Sequence, residues 1–289
     1  MPGEVLIVGG GLIGSSIAWR LAQKGARVII SDAGTLGGEA SSAGAGMLSP
    51  NAEFDKSSAS RDLGLESMRL YPSFVEELQA ETGIDVDFRL FSPHDGIVDP
   101  GALLRALHCA CESRNVRIIR EHVTSVEPRD HSAVVIAAGA WSERVRVPNV
   151  TLPAVVPIKG HLIGFQLEPG ALGPTRRLGE TYVLQRSSGF LIAGSNEQDI
   201  GFDRTVDPAI CEDIHRRAAR LFPLLENATP VQRWIGFRPR PVEGDGPHIG
   251  RVAGSNVWLA YGHYRNGILL TPVTAQRVAD EIQATQASA

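Results

Sequence analysis

A glycine-rich turn near the start of the sequence constrains the fold of this chain more than any other feature. The sequence GGGLIG occupies positions 9–14 and fits the pattern G-x-G-x-x-G. It follows an apolar run at positions 5–8 and precedes a helical pattern that extends to about Lys24. A second apolar run, at positions 28–30, leads to Asp32. These segments predict the strand, helix and strand with which a dinucleotide-binding domain begins.

Each glycine of this turn has a physical role in such a domain. Gly9 permits the tight turn, Gly11 lets the backbone approach a pyrophosphate, and Gly14 lets the helix pack closely on the strand. The helix N-terminus attracts the phosphate charge, and the Asp32 carboxylate can accept hydrogen bonds from a ribose diol. An acidic residue at this position disfavours a 2′-phosphate and hence NADP. The turn alone leaves NAD and FAD as alternatives.

The order of the predicted elements changes along the chain. Parallel strand–helix units are predicted at both ends, whereas alternating patterns in the middle are typical of antiparallel strands. Residues 33–60 are rich in Gly, Ala and Ser, as expected for a long loop that wraps a ligand. We therefore predict an α/β fold with an α+β substrate part, in which an antiparallel-sheet substrate domain is inserted into a discontinuous, Rossmann-like nucleotide-binding domain. The nucleotide-binding domain would comprise residues 1–85, 99–150 and 240–289, and the substrate domain residues 86–98 and 151–239.

Composition argues against several classes of function. The 289 residues carry a formal net charge of −4, and no run of like charges suggests a nucleic-acid-binding surface. The longest apolar runs are too short to span a bilayer, and residues 5–17 lack the basic flank and cleavage site of a signal peptide. Cys109, Cys111 and Cys211 show no metal-binding or redox spacing. We expect a soluble, cytoplasmic protein without a metal site, a membrane partner or a nucleic-acid partner.

The stretch EASSAGAGMLSP at positions 39–50 favours FAD over NAD. It resembles the flavin-cradling loop of the D-amino-acid oxidase family, and within that family the bacterial glycine oxidases of thiamine biosynthesis. Three later segments support the resemblance: residues 134–141, PIKG at 157–160, and YGHYRNGILLTP at 261–272. The last is similar to the segment that wraps the isoalloxazine ring in glycine oxidases. The resemblance implies non-covalent FAD, because residues 239–250 lack the cysteine through which sarcosine oxidases attach the flavin.

The resemblance and the glycine-rich turn together predict the residues that hold FAD. They come from the turn, the end of the second strand, the loop that follows it, two central positions and the C-terminal segment. They are Gly9, Gly11, Leu12, Ile13, Gly14, Asp32, Ala33, Ala40, Ser41, Ala45, Gly46, Met47, Val123, Gly139, His263, Tyr264, Asn266, Gly267, Ile268 and Leu269.

Two side chains are predicted to hold a substrate carboxylate. Arg238, in the sequence GFRP, matches the carboxylate-binding arginine of the family, and a guanidinium can pair with a carboxylate through two hydrogen bonds. Tyr182 matches the tyrosine whose hydroxyl reaches that carboxylate, although a strand tyrosine can equally be a core residue. Arg265 lies in the flavin-wrapping segment and is predicted to contact substrate or flavin.

The resemblance implies oxidation of glycine, sarcosine or a small D-amino acid. A hydride would pass from Cα of the neutral amine to flavin N5, and molecular oxygen would reoxidise the flavin to give hydrogen peroxide. His161 and His263 are candidate bases, but a single histidine is more often a structural hydrogen-bonding residue. Three alternatives stay open: a dehydrogenase that passes electrons to a quinone or carrier protein, a flavin-binding protein without turnover, and an NAD-dependent dehydrogenase.

The chain departs from the family in being shorter. Residues 86–98 are predicted to form only a short connector, where typical members place a strand, helices and a loop that help to cover the substrate cavity. A second shortening falls near residues 128–132, in place of a hairpin. We expect FAD binding to survive both. A reduced cover would leave the substrate cavity more open, or another subunit of a homo-oligomer would complete it.

Overall fold

The structure, a computed structural model, describes residues 3–53 and 59–288. The strands are, in chain order, β1 (Val5–Val8), β2 (Val28–Asp32), β3 (Met47–Leu48), β4 (Arg89–Ser92), β5 (Asp95–Ile97), β6 (Arg117–Arg120), β7 (Ala133–Ile136), β8 (Val155–Gln166), β9 (Arg176–Leu178), β10 (Thr181–Gln185), β11 (Phe190–Gly194), β12 (Gln232–Pro241), β13 (His248–Arg251) and β14 (Val257–Tyr261). The α-helices are α1 (Leu12–Gln23), α2 (Ala40–Ala43), α3 (Pro50–Glu53), α4 (Ala59–Thr82), α5 (Pro100–Ser113), α6 (Pro208–Leu221) and α7 (Thr271–Ala287). Short 3₁₀ helices lie at Pro128–Asp130, Gly139–Arg144 and Pro223–Leu225.

The main sheet has six strands in the order β13-β14-β7-β1-β2-β6. Neighbouring strands are parallel except at the edge, where β13 runs antiparallel to β14. The central strands are almost wholly apolar because both faces of the sheet are covered. Helices α1, α5 and α7 lie on one face, with α4 packed against α5 and α7, and side chains of residues 123–155 pack on the other face. Because β14 lies beside β7, segments that are far apart in the chain build one sheet.

The second sheet has five antiparallel strands in the order β12-β8-β11-β10-β9. Helix α6 covers one face, where Ile163 and Phe165 pack against Ile214. This helix begins after Asp207, whose side chain accepts hydrogen bonds from two backbone amides of the first turn. The opposite face packs against Ala45 and β5. The second sheet therefore stands between α6 and the loop that follows β2.

Most of the predicted elements are present. The sequence Asp99-Pro100 predicts a helix start, and the structure confirms it, since the Asp99 carboxylate accepts hydrogen bonds from the amides of Gly101 and Ala102. The sequence also predicts a helix over residues 63–81, which is part of α4 and continues through Pro72. The α/β fold class is confirmed as well.

The regions predicted as connector and loop contain further elements. The connector at 86–98 forms the hairpin of β4 and β5, and β5 pairs with β3 in a three-stranded sheet. The loop predicted at 33–60 includes α2, β3 and α3, while its residues 54–58 lie outside the described residues. Strands β9 and β13 are also additions to the sequence prediction. These strands have only three or four residues, too few for an alternating pattern to stand out.

Within residues 3–53 and 59–288, no helix has the length and apolar character needed to cross a membrane. The same part of the chain holds no group of side chains suited to a metal ion. Cys109 is exposed while Cys111 and Cys211 are buried, and the three are unpaired.

Candidate functional site

A cavity of about 850 Å³ lies where the carboxyl ends of the main-sheet strands face the second sheet. This volume falls within the range of roughly 300–1,000 Å³ found for small-molecule and cofactor sites. The ends of β1, β2 and β7 border the cavity on one side, and β8, β10 and β12 border it on another. Residues 37–47 and 263–268 line the space between them. In an open parallel sheet, this edge is where ligands bind.

The glycine-rich turn borders the cavity at the start of α1. Gly9 has a φ angle of +108°, and a β carbon there would lie 2.5 Å from the Ala137 carbonyl oxygen. The turn after β1 therefore requires glycine. A β carbon at Gly14 would lie 1.9 Å from the Gly9 oxygen, in keeping with the packing role expected for Gly14. Gly11 and Leu12 line the cavity beside Gly9.

Two polar side chains hold this part of the cavity together. The Leu12 N–H donates a hydrogen bond to Ser41 Oγ over 3.0 Å, which ties the loop after β2 to the start of α1. Asp32 Oδ2 accepts a hydrogen bond from the Gly10 N–H at 2.7 Å, and Oδ1 accepts one from the Gly34 N–H at 2.9 Å. A carboxylate has further lone pairs, so Asp32 can still accept hydrogen bonds from hydroxyl groups of a ligand.

The C-terminal segment is anchored to α4 and to the second sheet. The Tyr71 hydroxyl donates to the Ile268 carbonyl at 2.5 Å, and the Ser67 hydroxyl donates to the Leu269 carbonyl at 2.6 Å. Both anchors come from α4, which packs against α5 and α7. At the other side, the Tyr264 N–H donates to the Pro239 carbonyl in β12 at 3.0 Å. The segment therefore connects the helices beside the main sheet with the second sheet.

The two candidate bases are both held in structural hydrogen bonds. His263 is buried, with Nε2 3.0 Å from Thr274 Oγ1, and burial together with the nearby His248 lowers the pKa of His263 to about 3. His161 Nε2 accepts a hydrogen bond from the Asp207 N–H, so its proton resides on Nδ1. Burial lowers the pKa of His161 as well. Both rings are therefore neutral near pH 7.

Arg238 lies on the face of the second sheet that borders the cavity. Its Nη2 donates to Ser195 Oγ at 3.0 Å, and its Nη1 donates to the Asn196 carbonyl at 3.1 Å. No carboxylate of residues 3–53 or 59–288 lies within 4 Å of this guanidinium. Within these residues the partners of Arg238 are therefore neutral, and its charge is suited to an anionic ligand.

Tyr182 lies on the same wall as Arg238. It is 6% exposed and pairs across the sheet with Gly194. A β carbon at Gly194 would lie 2.7 Å from the Tyr182 hydroxyl, so the phenol ring extends across this glycine. Gly194 precedes Ser195, to which Arg238 donates. The structure thus brings the two predicted carboxylate ligands together.

Arg265 has a different electrostatic environment. Its Nη1 lies 3.0 Å from Glu197 Oε1, and both side chains are partly exposed. The Glu197 carboxylate also accepts a hydrogen bond from the Tyr264 hydroxyl. Burial, and to a lesser extent this hydrogen bond, raises the pKa of the Tyr264 phenol to about 12. Arg265 lines the cavity but has a carboxylate partner, whereas Arg238 does not.

All predicted cofactor and substrate residues line this cavity except Gly14 and Leu269. Gly14 packs behind the turn, and the Leu269 side chain is buried in the main core. Sequence reasoning did not single out Gly160, Ser195 or Glu197 for the site. The alternating pattern at residues 190–194 predicts a strand that ends just before Ser195, and this position was the signal that could have pointed to Ser195.

Comparison with known proteins identifies the family. The family model described as "FAD dependent oxidoreductase" matches residues 4–90 and 89–281. The chain belongs to the FAD-dependent oxidoreductase family. Glycine oxidase from Pseudomonas putida is 31% identical, and the alignment covers 97% of this chain and 94% of that protein. Glycine oxidase from Geobacillus kaustophilus is 30% identical, and the alignment covers 97% of this chain and 93% of that protein. The crystal structure of glycine oxidase from Geobacillus kaustophilus superimposes with a TM-score of 0.90 at 30% identity, covering 98% of this chain and 95% of that one.

The cavity of this FAD-dependent oxidoreductase fits the cofactor of its family. The N-terminus of α1 can receive the pyrophosphate, and Asp32 can accept the ribose hydroxyls. Gly139 lines the cavity, and a β carbon there would meet no protein atom within 4 Å. The space beside Gly139 is therefore open. The protein is an enzyme that uses FAD.

The family match is also informative about chain length. It consists of two pieces that meet at residues 89–90, within β4. The alignment to the Pseudomonas putida relative runs over 347 positions, more than the 289 residues of this oxidoreductase. The relative therefore contains residues that are absent here, in agreement with the shortening predicted at 86–98.

Proposed function

We propose that this enzyme oxidises glycine or another small amino acid or secondary amine, with oxygen reduced to hydrogen peroxide. The proposal rests on the Arg238 guanidinium, which lies at the cavity wall and donates hydrogen bonds to the neutral groups of Ser195 and Asn196. A guanidinium in this state attracts a carboxylate, and every amino acid has one. The similarity to glycine oxidases supports glycine as the first substrate to test.

Arg238 and Tyr182 would hold the substrate together. The planar guanidinium has five N–H donors, so it can bind a carboxylate while keeping a hydrogen bond to Ser195 or Asn196. The Tyr182 hydroxyl can donate to the same carboxylate from the neighbouring strand. A substrate fixed at its carboxylate has a fixed Cα orientation, and such positioning is a large source of rate enhancement.

The side chains of this wall offer no acceptor for a proton from the substrate Cα. The residues of the second sheet that line the cavity are Gly160, Leu162, Tyr182, Ser195, Gly236, Phe237, Arg238 and Pro239, which include no carboxylate or imidazole. The two histidines predicted as candidate bases are neutral and hydrogen-bonded within the protein. The substrate would therefore lose a hydride from Cα without transferring a Cα proton to a side chain. When bound, FAD supplies the acceptor for this hydride and passes two electrons to oxygen.

The organisation predicted from the sequence belongs to the same proposal. An FAD-binding domain of residues 1–85, 99–150 and 240–289 would contain the six-stranded sheet, and a substrate domain of residues 86–98 and 151–239 would contain most of the five-stranded sheet. The three unpaired cysteines support a reducing compartment, and we place the enzyme in the cytoplasm.

The experiment that tests this proposal is an anaerobic titration followed by visible absorption. The purified enzyme with FAD is mixed with glycine, sarcosine or D-alanine, and oxygen is then readmitted. We expect the flavin absorption to bleach with at least one of them and to return with formation of one hydrogen peroxide per turnover. Glycinamide, which lacks the carboxylate, is the matched control and should not bleach the flavin at the same concentration.

The other outcomes are equally informative. Bleaching that a quinone reverses but oxygen does not would identify a dehydrogenase instead of an oxidase. A flavin that none of these amino acids bleaches would overturn the proposed substrate class. Equal bleaching by glycinamide and glycine would contradict the carboxylate-binding role of Arg238.

A further inference from the structure

Arg186 is a buried cation in the turn between β10 and β11. Its side chain is 6% exposed, its Nη1 donates to the Val98 carbonyl, and its Nη2 donates to the Ala45 carbonyl. No carboxylate in the described part of the chain lies within 4 Å, and burial lowers the pKa of Arg186. The Asp99 and Asp87 carboxylates attract this charge from beyond that distance, so the hydrogen bonds to the backbone must offset much of the remaining cost of desolvation.

The two carbonyl groups belong to segments that meet at Gly46. The Val98 N–H donates to the Gly46 carbonyl at 2.9 Å, which joins the segments through the backbone. Gly46 has a φ angle of +90°, and a β carbon there would lie 1.9 Å from the Val98 oxygen and 2.9 Å from Arg186 Nη2. The backbone at Ala45 and Gly46 is therefore packed directly against the guanidinium. Both residues line the cavity on their other side.

The turn that carries Arg186 also anchors the β4–β5 hairpin, which lies where the two pieces of the family match meet. The Ser187 N–H donates to Asp87 Oδ2 at 2.9 Å, and the Arg89 guanidinium donates to the Gln185 carbonyl. Asp87 and Arg89 are themselves an ion pair at 3.2 Å. Residues 185–187 thus form a common anchor for the shortened hairpin and for the loop at 45–46.

We propose that Arg186 is a positioning residue for FAD that acts through the backbone of Ala45 and Gly46. Its charge, which lies behind the loop at 45–46, favours electron uptake by the bound cofactor. The proposal rests on the assignment of residues 40–47 to FAD binding. The geometric part follows from one guanidinium that spans two carbonyl groups. The electrostatic part follows from burial, since a cation in a region of low dielectric constant stabilises negative charge that develops nearby.

Two substitutions separate the two parts. R186K keeps the charge, but a single ammonium group lacks the planar fork that spans both carbonyl groups. R186M removes both the charge and the hydrogen bonds with little change in length. Arg233 lies exposed on β12, and R233M is the matched control. The measurements are the Kd of the apoprotein for FAD by fluorescence quenching, the midpoint potential of bound FAD, and the Tm of each apoprotein.

We expect the Kd for FAD to rise about tenfold or more in both R186K and R186M. The midpoint potential should fall in R186M and stay at the wild-type value in R186K. R233M should match the wild type in both measurements. This pattern separates positioning from general destabilisation. A merely structural role would lower the apoprotein Tm, but it would not lower the midpoint potential in R186M while leaving it unchanged in R186K.

Three results would overturn the proposal. A wild-type Kd in R186K would exclude the positioning role, and this variant decides the question if R186M does not fold. A wild-type potential in R186M would exclude the charge effect. A lower Tm with unchanged Kd and potential would assign Arg186 to stability alone. None of these measurements uses a substrate, so failure of glycine oxidation would not affect them.

Discussion

The guanidinium of Arg238 lies directly on the backbone of Gly160 in the neighbouring strand. A β carbon at Gly160 would lie 2.3 Å from both terminal nitrogens of Arg238. In the register of β8 and β12, Gly160 faces Gly236 while Arg238 faces Ile158, so the arginine leans diagonally across the strand pair. Because Gly160 has no side chain, the Arg238 guanidinium can lie close to the backbone of the sheet.

Replacing Gly160 with alanine should displace Arg238 without removing its charge. We expect the KM for glycine in G160A to rise about tenfold or more, because the guanidinium would leave its position in the wall. The matched control is G173A, since a β carbon at Gly173 would meet no atom within 4 Å. Steady-state oxygen uptake gives the KM of each variant. A wild-type KM in G160A would argue that substrate binding does not depend on the present position of Arg238.

Replacing Arg238 itself should remove most of the carboxylate affinity. In R238M we expect kcat/KM for glycine to fall about 100-fold, equivalent to about 2.7 kcal/mol, the size expected for lost hydrogen bonds to a charged group. Arg240 lies two residues along the same strand and pairs with Asp199, so R240M is the control for strand packing. Equal losses in the two variants would point to damage of β12 instead of loss of a substrate ligand.

Replacing Asp32 should weaken the cofactor site. D32A removes the acceptor for the Gly10 and Gly34 amides as well as the acceptor proposed for the ribose hydroxyls. We expect the Kd for FAD to rise about tenfold or more, because two backbone donors lose their partner along with the ligand contact. Fluorescence titration of the apoprotein measures this change. D213A, on the exposed side of α6, should leave the Kd unchanged.

The buried histidines predict a loss of stability in mild acid. Burial lowers the pKa values of His108, His161, His248 and His263, and that of His263 falls to about 3. An unfolded histidine titrates near about 6.5, so below that pH the unfolded chain binds more protons than the folded protein. The contribution of these histidines to stability should therefore be constant above about pH 7 and should fall as the pH drops toward 3. His263 alone would contribute up to about 1.4 kcal/mol per pH unit.

Urea unfolding of the apoprotein at a series of pH values measures this dependence. H263N should show a shallower loss of unfolding free energy than the wild type, because one depressed pKa is removed. H94N, at an exposed position, should follow the wild-type curve. An unchanged pH slope in H263N would contradict the pKa assigned to His263.

The parts of the site that were predictable from the sequence are the local ones. Gly9, Gly14 and Asp32 belong to one strand–turn–helix–strand unit, whose geometry follows from residue spacing within a short stretch. Arg238 and Tyr182 were assigned through the family resemblance, and the structure places them on one wall. Their roles in substrate binding remain predictions.

The remaining features depend on strand register and long-range packing. Gly160 matters because β8 and β12 pair in one register, which no local pattern reveals. Glu197 and Arg186 look like ordinary polar residues near strand ends, and their contacts come from segments far away in the chain. The hairpin at 89–97 escaped prediction because its two short strands give little alternation.

The assembly of the cavity from both ends of the chain has a consequence for synthesis of the enzyme. The glycine-rich turn at 9–14 and the segment at 263–268 line the same cavity. A ribosome that adds about 5–20 residues per second makes the second of these roughly 13–50 seconds after the first. A nascent chain therefore cannot enclose FAD until translation has passed residue 268, and β7 exposes an unpaired edge until β14 emerges. Cofactor loading should be a late, post-elongation event, and premature release would leave an aggregation-prone sheet edge.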